Sequence, residues 1–233
     1  MMFQQARETV VATCLDLADR GFLAGTGGNI ALRADQKHFL VTPSGVDYYT
    51  MSARDICVMR MADRVQVEGD KTASVEAGLH ANVLTARPDC EASIHTHQPV
   101  ASAYTLLAMA LEVKSEDAAR ELGSSVPCVT YAPSGTGWLA KRVGQAFEDG
   151  GNACLMRNHG VLCVGRDIPE AIQRVVLLEA SCAVFFREGL AAGTRVSAAT
   201  AELIERTLEA TTRTQIQDSA CLLYTSPSPR DPL

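Results

Sequence analysis

A layered α/β fold, with a mixed sheet covered by helices, is what this sequence predicts. Three observations carry that reading. Short apolar strand-like runs are interleaved with longer amphipathic ones, several runs are joined by short turns of glycine, asparagine or serine, and no linker or internal repeat divides the chain. At 233 residues with 47% hydrophobic content, the chain suits a single domain with a substantial core, expected over residues 1–220.

Residues 3–20 read as a helix, with Val10, Val11, Cys14, Leu15 and Ala18 on one face and Gly21 placed to end it. "GTGGNIALR" is a glycine-rich turn running into a strand, and "HFLVTPSG" is a strand closed by a turn. "DICVMRM" and "RVQVEG" read as a hairpin turning at Ala62–Asp63. Ser74 is the expected N-cap of a helix stopping near Arg87-Pro88. "EASIHTH" then reads as a strand, "PVASAYTLLAMA" as a helix and "VPCVTY" as a strand. "SGTGWLAKRVGQAFEDGG" is a helix capped by Ser134 or Thr136. "ACLMRNHGVLCVG" is a strand, a tight turn at Asn158-His159-Gly160, and a second strand. Asp167 and Glu170 form a capping box for a long helix to about Gly189, and a last helix covers about 197–216. The stretch 189–200 is the loosest in the chain. "CLLYTSPSPRD" at 221–231 shares no pattern with what precedes it and resembles a translated sequencing adapter. Residues 221–233 are therefore set aside as a non-native tail, with the natural C-terminus expected to be missing.

The net charge of −6 comes from interspersed charges with no basic block, which argues against nucleic acid or an anionic membrane as partner but leaves room for a small anionic substrate. The amphipathic, charge-interrupted start is not expected to be a secretory leader, and no apolar run in the sequence approaches membrane-spanning length. Eight cysteines at 14, 57, 90, 128, 154, 163, 182 and 221 form no CxxC pair, and several sit in apolar runs. They read as buried reduced thiols of a cytoplasmic protein.

Side chains alternate along a strand, so His95 and His97 of "SIHTH" point the same way, a chelating geometry. His159, at a turn between two strands, could complete a set of three neutral imidazoles at about 2.0–2.1 Å from a zinc ion, leaving a fourth position open as catalytic zinc sites do. Glu76, in the first turn of the helix after Ser74, would be an ionised base beside such a metal. His80, one turn on, reads as a histidine hydrogen-bonded to a neighbour rather than a ligand. The loop "GTGGN" offers backbone N–H groups plus Thr26 and Asn29 to an anion, and Ser44, Gly45 and Ser74 are further anion-friendly groups.

The order and spacing of "GFLAGTGGNIALR", "VTPSGVDY", "GDKTASVEAGLH", "ARPDCEASIHTHQPVASA", "YAPSGT" and "MRNHGVLCVG" over about residues 5–215 resemble the class II aldolase/adducin family. The resemblance implies a three-layer αβα sandwich with a central mixed, largely antiparallel sheet, assembled as a homotetramer with sites between subunits. It implies zinc, one per chain, on His95, His97 and His159, Glu76 as the acid–base residue, and a phosphate pocket from Thr26, Gly28, Asn29, Ser44, Gly45 and Ser74. The implied activity is zinc-dependent cleavage of a small ketose phosphate to dihydroxyacetone phosphate and an aldehyde through a metal-stabilised enediolate. Sibling activities are decarboxylation of a 3-oxo-sugar-acid phosphate and 4-epimerisation of a pentulose phosphate, and an adducin-head-like interaction module is the non-catalytic alternative. Two positions depart from the family pattern. Val75 stands where a second phosphate-pocket serine is expected, and an ungapped count from His97 puts Glu116 where the family has a proton-donating tyrosine.

Overall fold

A computed structural model describes residues 1–193 and 197–217. The expected loose stretch at 189–200 straddles residues 194–196, and these lie outside the described residues, as does the 221–233 tail. Helix α1 (Gln4–Asp19) leads to β1 (Asn29–Arg33), β2 (His38–Val41), β3 (Cys57–Arg60) and β4 (Gln66–Glu68). Then come α2 (Ala77–Ala86), β5 (Ala92–Thr96), α3 (Pro99–Thr105), β6 (Leu111–Glu112), α4 (Glu116–Leu122), β7 (Ser125–Val126) and β8 (Cys128–Val129). The remaining elements are α5 (Gly137–Ala146), β9 (Ala153–Met156), β10 (Gly160–Gly165), α6 (Ile168–Ala191) and α7 (Ala198–Gln217).

Eight strands form one sheet in the order β4-β3-β2-β1-β5-β10-β9-β8, antiparallel throughout except where β8 runs parallel to β9. Alternation along the strands divides the interior into two layers. Ile30, Leu40, Val58, Ile94, Val161 and Cys163 meet Val10, Cys14 and Leu17 of α1 and Val175, Leu178 and Cys182 of α6. Phe39, Val41, Cys57 and Met59 face Ala81 and Leu84 of α2, and Cys154, Met156, Leu162 and Val164 face Leu79 and Val83 of α2, Leu139 and Val143 of α5, and Phe147 at the end of α5. The result is helix layers on both faces of one sheet, the expected sandwich. Complete burial of a side chain such as Leu17 stabilises the fold by roughly 1.5–3 kcal/mol.

Four local expectations are corrected. "VPCVTY" is not one strand: Pro127, which has no N–H to donate, separates β7, paired with β6 in a two-stranded sheet, from β8 in the main sheet. Helix α3 stops at Thr105 instead of running on through "LLAMA", and Ala108 turns the chain with a φ of 55°. A seven-residue helix, α4, capped by the hydroxyl of Ser115, occupies a segment with no predicted element. Ser74 does not cap α2 at the N-cap position. The helix starts at Ala77, and Ser74 Oγ instead accepts the N–H of Glu76 at 3.2 Å. The cap at Asp167 holds, its carboxylate accepting the N–H of Glu170, and Thr136 rather than Ser134 caps α5. The seven described cysteines are all free, and all but Cys128 are buried.

Candidate metal centre and active site

Strand β5 lies in the middle of the sheet, and its alternation puts Ser93, His95 and His97 on the α2/α5 side. His95 is fully buried, opposite Asn29 on β1 and Leu162 on β10. Its Nδ1–H donates to the carbonyl of Val161 at 2.7 Å. That bond fixes the tautomer and leaves the Nε2 lone pair aimed away from the strand. The third imidazole arrives on the turn between β9 and β10. Asn158 takes a left-handed φ of 56°, which asparagine tolerates. Gly160 is needed for a different reason: a Cβ there would lie 2.5 Å from the Thr96 carbonyl oxygen and 2.6 Å from Cδ2 of His97. Its bare backbone lets the turn close onto β5.

His95, His97 and His159 converge. One nitrogen from each lies within 4.8 Å of the others, and the ring centroids are 4.7, 4.8 and 5.0 Å apart. Nitrogens bound tetrahedrally at about 2.0–2.1 Å would sit roughly 3.3 Å from one another. Nε2 of His95 and Nε2 of His97 face each other at 2.9 Å, and Nδ1 of His159 is buried without a hydrogen-bond partner among the described residues. Three imidazoles gathered this closely form a cluster that could hold a divalent cation. Burial, then the neighbouring His95, push the pKa of His97 down to about 4 and that of His159 below its ordinary value. His97 and His159 are thereby held in the neutral form that metal binding requires.

Glu76 stands at the N-terminal entry of α2 and joins this cluster. Its Oε2 lies 3.3 Å from Nε2 of His95, and its Oε1 lies 3.3 Å from Nε2 of His159. Asn29 Nδ2 donates to Oε2 at 2.8 Å, and Ser134 Oγ donates to Oε1 at 2.7 Å. Burial acts to raise this carboxyl, but the His95 ring beside it and the hydrogen bonds donated by Asn29 and Ser134 outweigh it and hold the group well below the usual carboxylate range. A buried, ionised base therefore sits against the imidazole set. His80 is fully buried and directs its ring nitrogens away from the cluster. It spans Ser93 Oγ at 2.7 Å and Asn29 Oδ1 at 2.6 Å.

The groups expected around a phosphate are placed unequally. Thr26, Ser44 and Gly45 are exposed on two turns, and Ser74 is buried between them and Glu76. The "TPSG" turn is strapped to the α2 entry by Ser44 N–H to Thr72 O at 2.9 Å and Ser74 N–H to Thr42 O at 3.1 Å. Gly28, at φ 86°, has no room for a side chain: a Cβ would lie 2.8 Å from the His95 carbonyl oxygen. Tyr48 OH holds this loop by donating to the carbonyl of Gly28 at 2.7 Å. The side-chain amide of Asn29, expected to face an anion, is committed on both sides, to Glu76 and to His80. Val75 is 67% exposed, an open apolar side chain beside the acid–base candidate. Glu116 is exposed at the start of α4 and has no recorded contact with the imidazoles.

The family model for the class II aldolase and adducin N-terminal domain matches residues 8–186. The chain belongs to this family. An L-fuculose phosphate aldolase of Methanococcus maripaludis is 29% identical over 169 residues, spanning 72% of this chain and 89% of the relative. A 5-deoxy-D-ribulose 1-phosphate aldolase of Bacillus thuringiensis serovar kurstaki is 29% identical over 188 residues, 80% of this chain and 87% of the relative. Among solved structures, an L-fuculose 1-phosphate aldolase superimposes with a TM-score of 0.77 at 26% identity, covering 90% of this chain and 98% of the other. Family and fold make this chain a class II aldolase, an enzyme of the carbon–carbon lyase class. No described helix is long and apolar enough to cross a membrane.

Two features of this class II aldolase escaped the sequence reading. Ser134 was read only as a possible cap of α5; it leaves that role to Thr136 and donates instead to the carboxylate of Glu76. The repeated Pro-Ser-Gly in "TPSG" and "APSG" was the available signal, since both turns end up beside the α2 entry. Ser93, on the same strand face as the histidines by the same alternation, joins the site through His80.

Proposed function

We propose that this chain cleaves a small ketose 1-phosphate into dihydroxyacetone phosphate and an aldehyde, with one zinc ion per chain held by His95, His97 and His159. The observation that carries the reading is Glu76, an ionised carboxylate with one oxygen 3.3 Å from each of two imidazoles of the set. When bound, the cation supplies Lewis-acid stabilisation of negative charge developing on the substrate's oxygens.

The chain's own residues do the rest. Breaking the bond between the third and fourth carbons removes a hydroxyl proton from the aldehyde half and adds a proton to carbon in the three-carbon half. Glu76 is the group placed to hold that second proton on Oε1 or Oε2 and deliver it. Thr26, Gly28, Ser44, Gly45 and Ser74 receive the phosphate, and the Tyr48-braced loop keeps the reacting carbon in register with Glu76. Val75 adds no donor there, which favours a phosphate held chiefly by backbone N–H groups. The names of the relatives, a fuculose phosphate and a 5-deoxyribulose 1-phosphate aldolase, support a ketose phosphate. A homotetramer with sites between subunits is part of the same reading.

The test is a substrate screen on purified, zinc-loaded protein. Ketose 1-phosphates and 3-oxo acid phosphates are offered side by side, with Glu76→Gln as control. Dihydroxyacetone phosphate and aldehyde in equal amounts are expected. Carbon dioxide without aldehyde would replace the aldolase reading with the decarboxylase one.

A further inference from the structure

We propose that His80 is a positioning residue for Glu76, acting through Asn29 as the middle of a one-directional hydrogen-bond chain that begins at Ser93. The proposal rests on Glu76 as the acid–base group. It assigns to a buried histidine outside the metal set the task of presenting that carboxylate.

The sense of the chain follows from its end. An ionised carboxylate can only accept, so the atom of Asn29 at 2.8 Å from Oε2 must be the amide nitrogen. The carbonyl oxygen of Asn29 then faces Nε2 of His80 at 2.6 Å and needs a donor, so Nε2 carries the ring proton. Nδ1 of His80 is left as an acceptor, and at 2.7 Å it meets the hydroxyl of Ser93, which donates. Every bond therefore points toward Glu76. The opposite tautomer of His80 would turn the Asn29 carbonyl oxygen toward Oε2, placing two acceptors in contact.

Placement gives the chain rigidity. His80, Ser93, Asn29 and Glu76 are all buried, on α2, β5, β1 and the α2 entry. A buried network with every member satisfied holds its atoms far more firmly than a solvated one, and a second layer of groups behind a reacting carboxylate fixes its direction. Ser93 is also two residues from His95 on the same strand face, so the chain ties the carboxylate to the strand that carries the imidazoles. The side-chain hydrogen bonds of His80 go to Ser93 and Asn29, so its hydrogen-bonded link to the Glu76 carboxylate runs through Asn29.

The experiment has two arms. In the metal-free wild-type protein, long-range nitrogen–proton NMR of the histidine rings reads the His80 tautomer without any reaction. A neutral ring protonated on Nε2 is expected, and one protonated on Nδ1 overturns the proposal. In the second arm, zinc-loaded wild type, His80→Leu and His80→Gln are compared in cleavage and in exchange of the carbon-bound proton of dihydroxyacetone phosphate with deuterated water. Leu removes the donor to Asn29, whereas Gln can supply an N–H in its place. His80→Leu is expected to lower both kcat and the exchange rate at least tenfold with KM within twofold and zinc content unchanged, and His80→Gln to recover much of the loss. Equal exchange rates in all three proteins, or losses in KM or zinc content alone, overturn it. Absence of exchange in the wild type would strike the aldolase reading instead, leaving the tautomer measurement to judge the hydrogen-bond chain.

Discussion

The hydroxyl of Ser134 donates a 2.7 Å hydrogen bond to Oε1 of Glu76, bringing the loop before α5 onto the carboxylate that enters α2. A bond to a charged group contributes about 1.5–3 kcal/mol, a factor of roughly ten to a hundred in rate if it is made to the reacting form. Ser134→Ala is therefore expected to lower kcat about tenfold while zinc content stays at that of the wild type. Steady-state kinetics beside metal analysis of the same sample checks this; an unchanged kcat would leave Ser134 a structural role only.

On the proposed reading the metal is held by imidazoles from two separate segments, and removing His95 and His97 should abolish its binding. Wild-type protein is expected to hold about one zinc per chain, and His95→Ala/His97→Ala to hold almost none after dialysis. Chelation of the wild type should stop cleavage, and added zinc should restore it. Elemental analysis and activity before and after chelation are the measurements. Cleavage at full rate by the dialysed double variant would end the metal-dependent reading.

The turn that delivers His159 tolerates no side chain at Gly160. A Cβ would lie 2.5 Å from the Thr96 carbonyl and 2.6 Å from the His97 ring. Gly160→Ala is expected to cost about 1–3 kcal/mol by overpacking and to weaken zinc retention. Chemical denaturation in the presence of chelator separates the first effect, and a zinc competition titration measures the second.

Val75, exposed between Ser74 and Glu76, leaves room for a donor. Val75→Ser is expected to lower KM for a ketose 1-phosphate several-fold, with kcat within twofold, because an added hydroxyl can reach a phosphate without moving Glu76. An unchanged KM would place the phosphate elsewhere.

The metal-free protein should lose stability as the solution is acidified from neutrality. Burial, and then the nearby His95, push the His80 pKa down to about 3, while an unfolded histidine titrates near about 6.5. Below that value the unfolded chain binds a proton that the folded chain refuses, so stability is present above pH 6.5 and falls as pH drops toward the folded value. From His80 alone the loss between pH 7.5 and pH 5 is about 2 kcal/mol. Urea midpoints at the two pH values measure it, and the difference should shrink in His80→Leu.

Periodicity made much of the fold legible. Alternation in "SIHTH" put His95 and His97 on one face, the Asp167 cap marked the start of α6, and the interleaving of strands with helices gave a covered sheet. Short signals were missed or misread: the seven residues of α4, barely two turns, drew no predicted element, and a single proline divided "VPCVTY" between two sheets. Ser74 and Thr136 show the same limit, since cap chemistry marks a helix start only to within a residue or two.

What the sequence determined by itself was which chemistry is present and which side chains share a face, because both follow from residue type and the geometry of neighbouring peptide units. Only the tertiary structure decided which of those groups meet. Glu76 finds Ser134, His159 and Asn29, and His80 finds Ser93 and Asn29, because the sheet brings distant segments side by side. Once water is excluded there, each buried donor must find an acceptor across strands, a requirement no local stretch of chain can express.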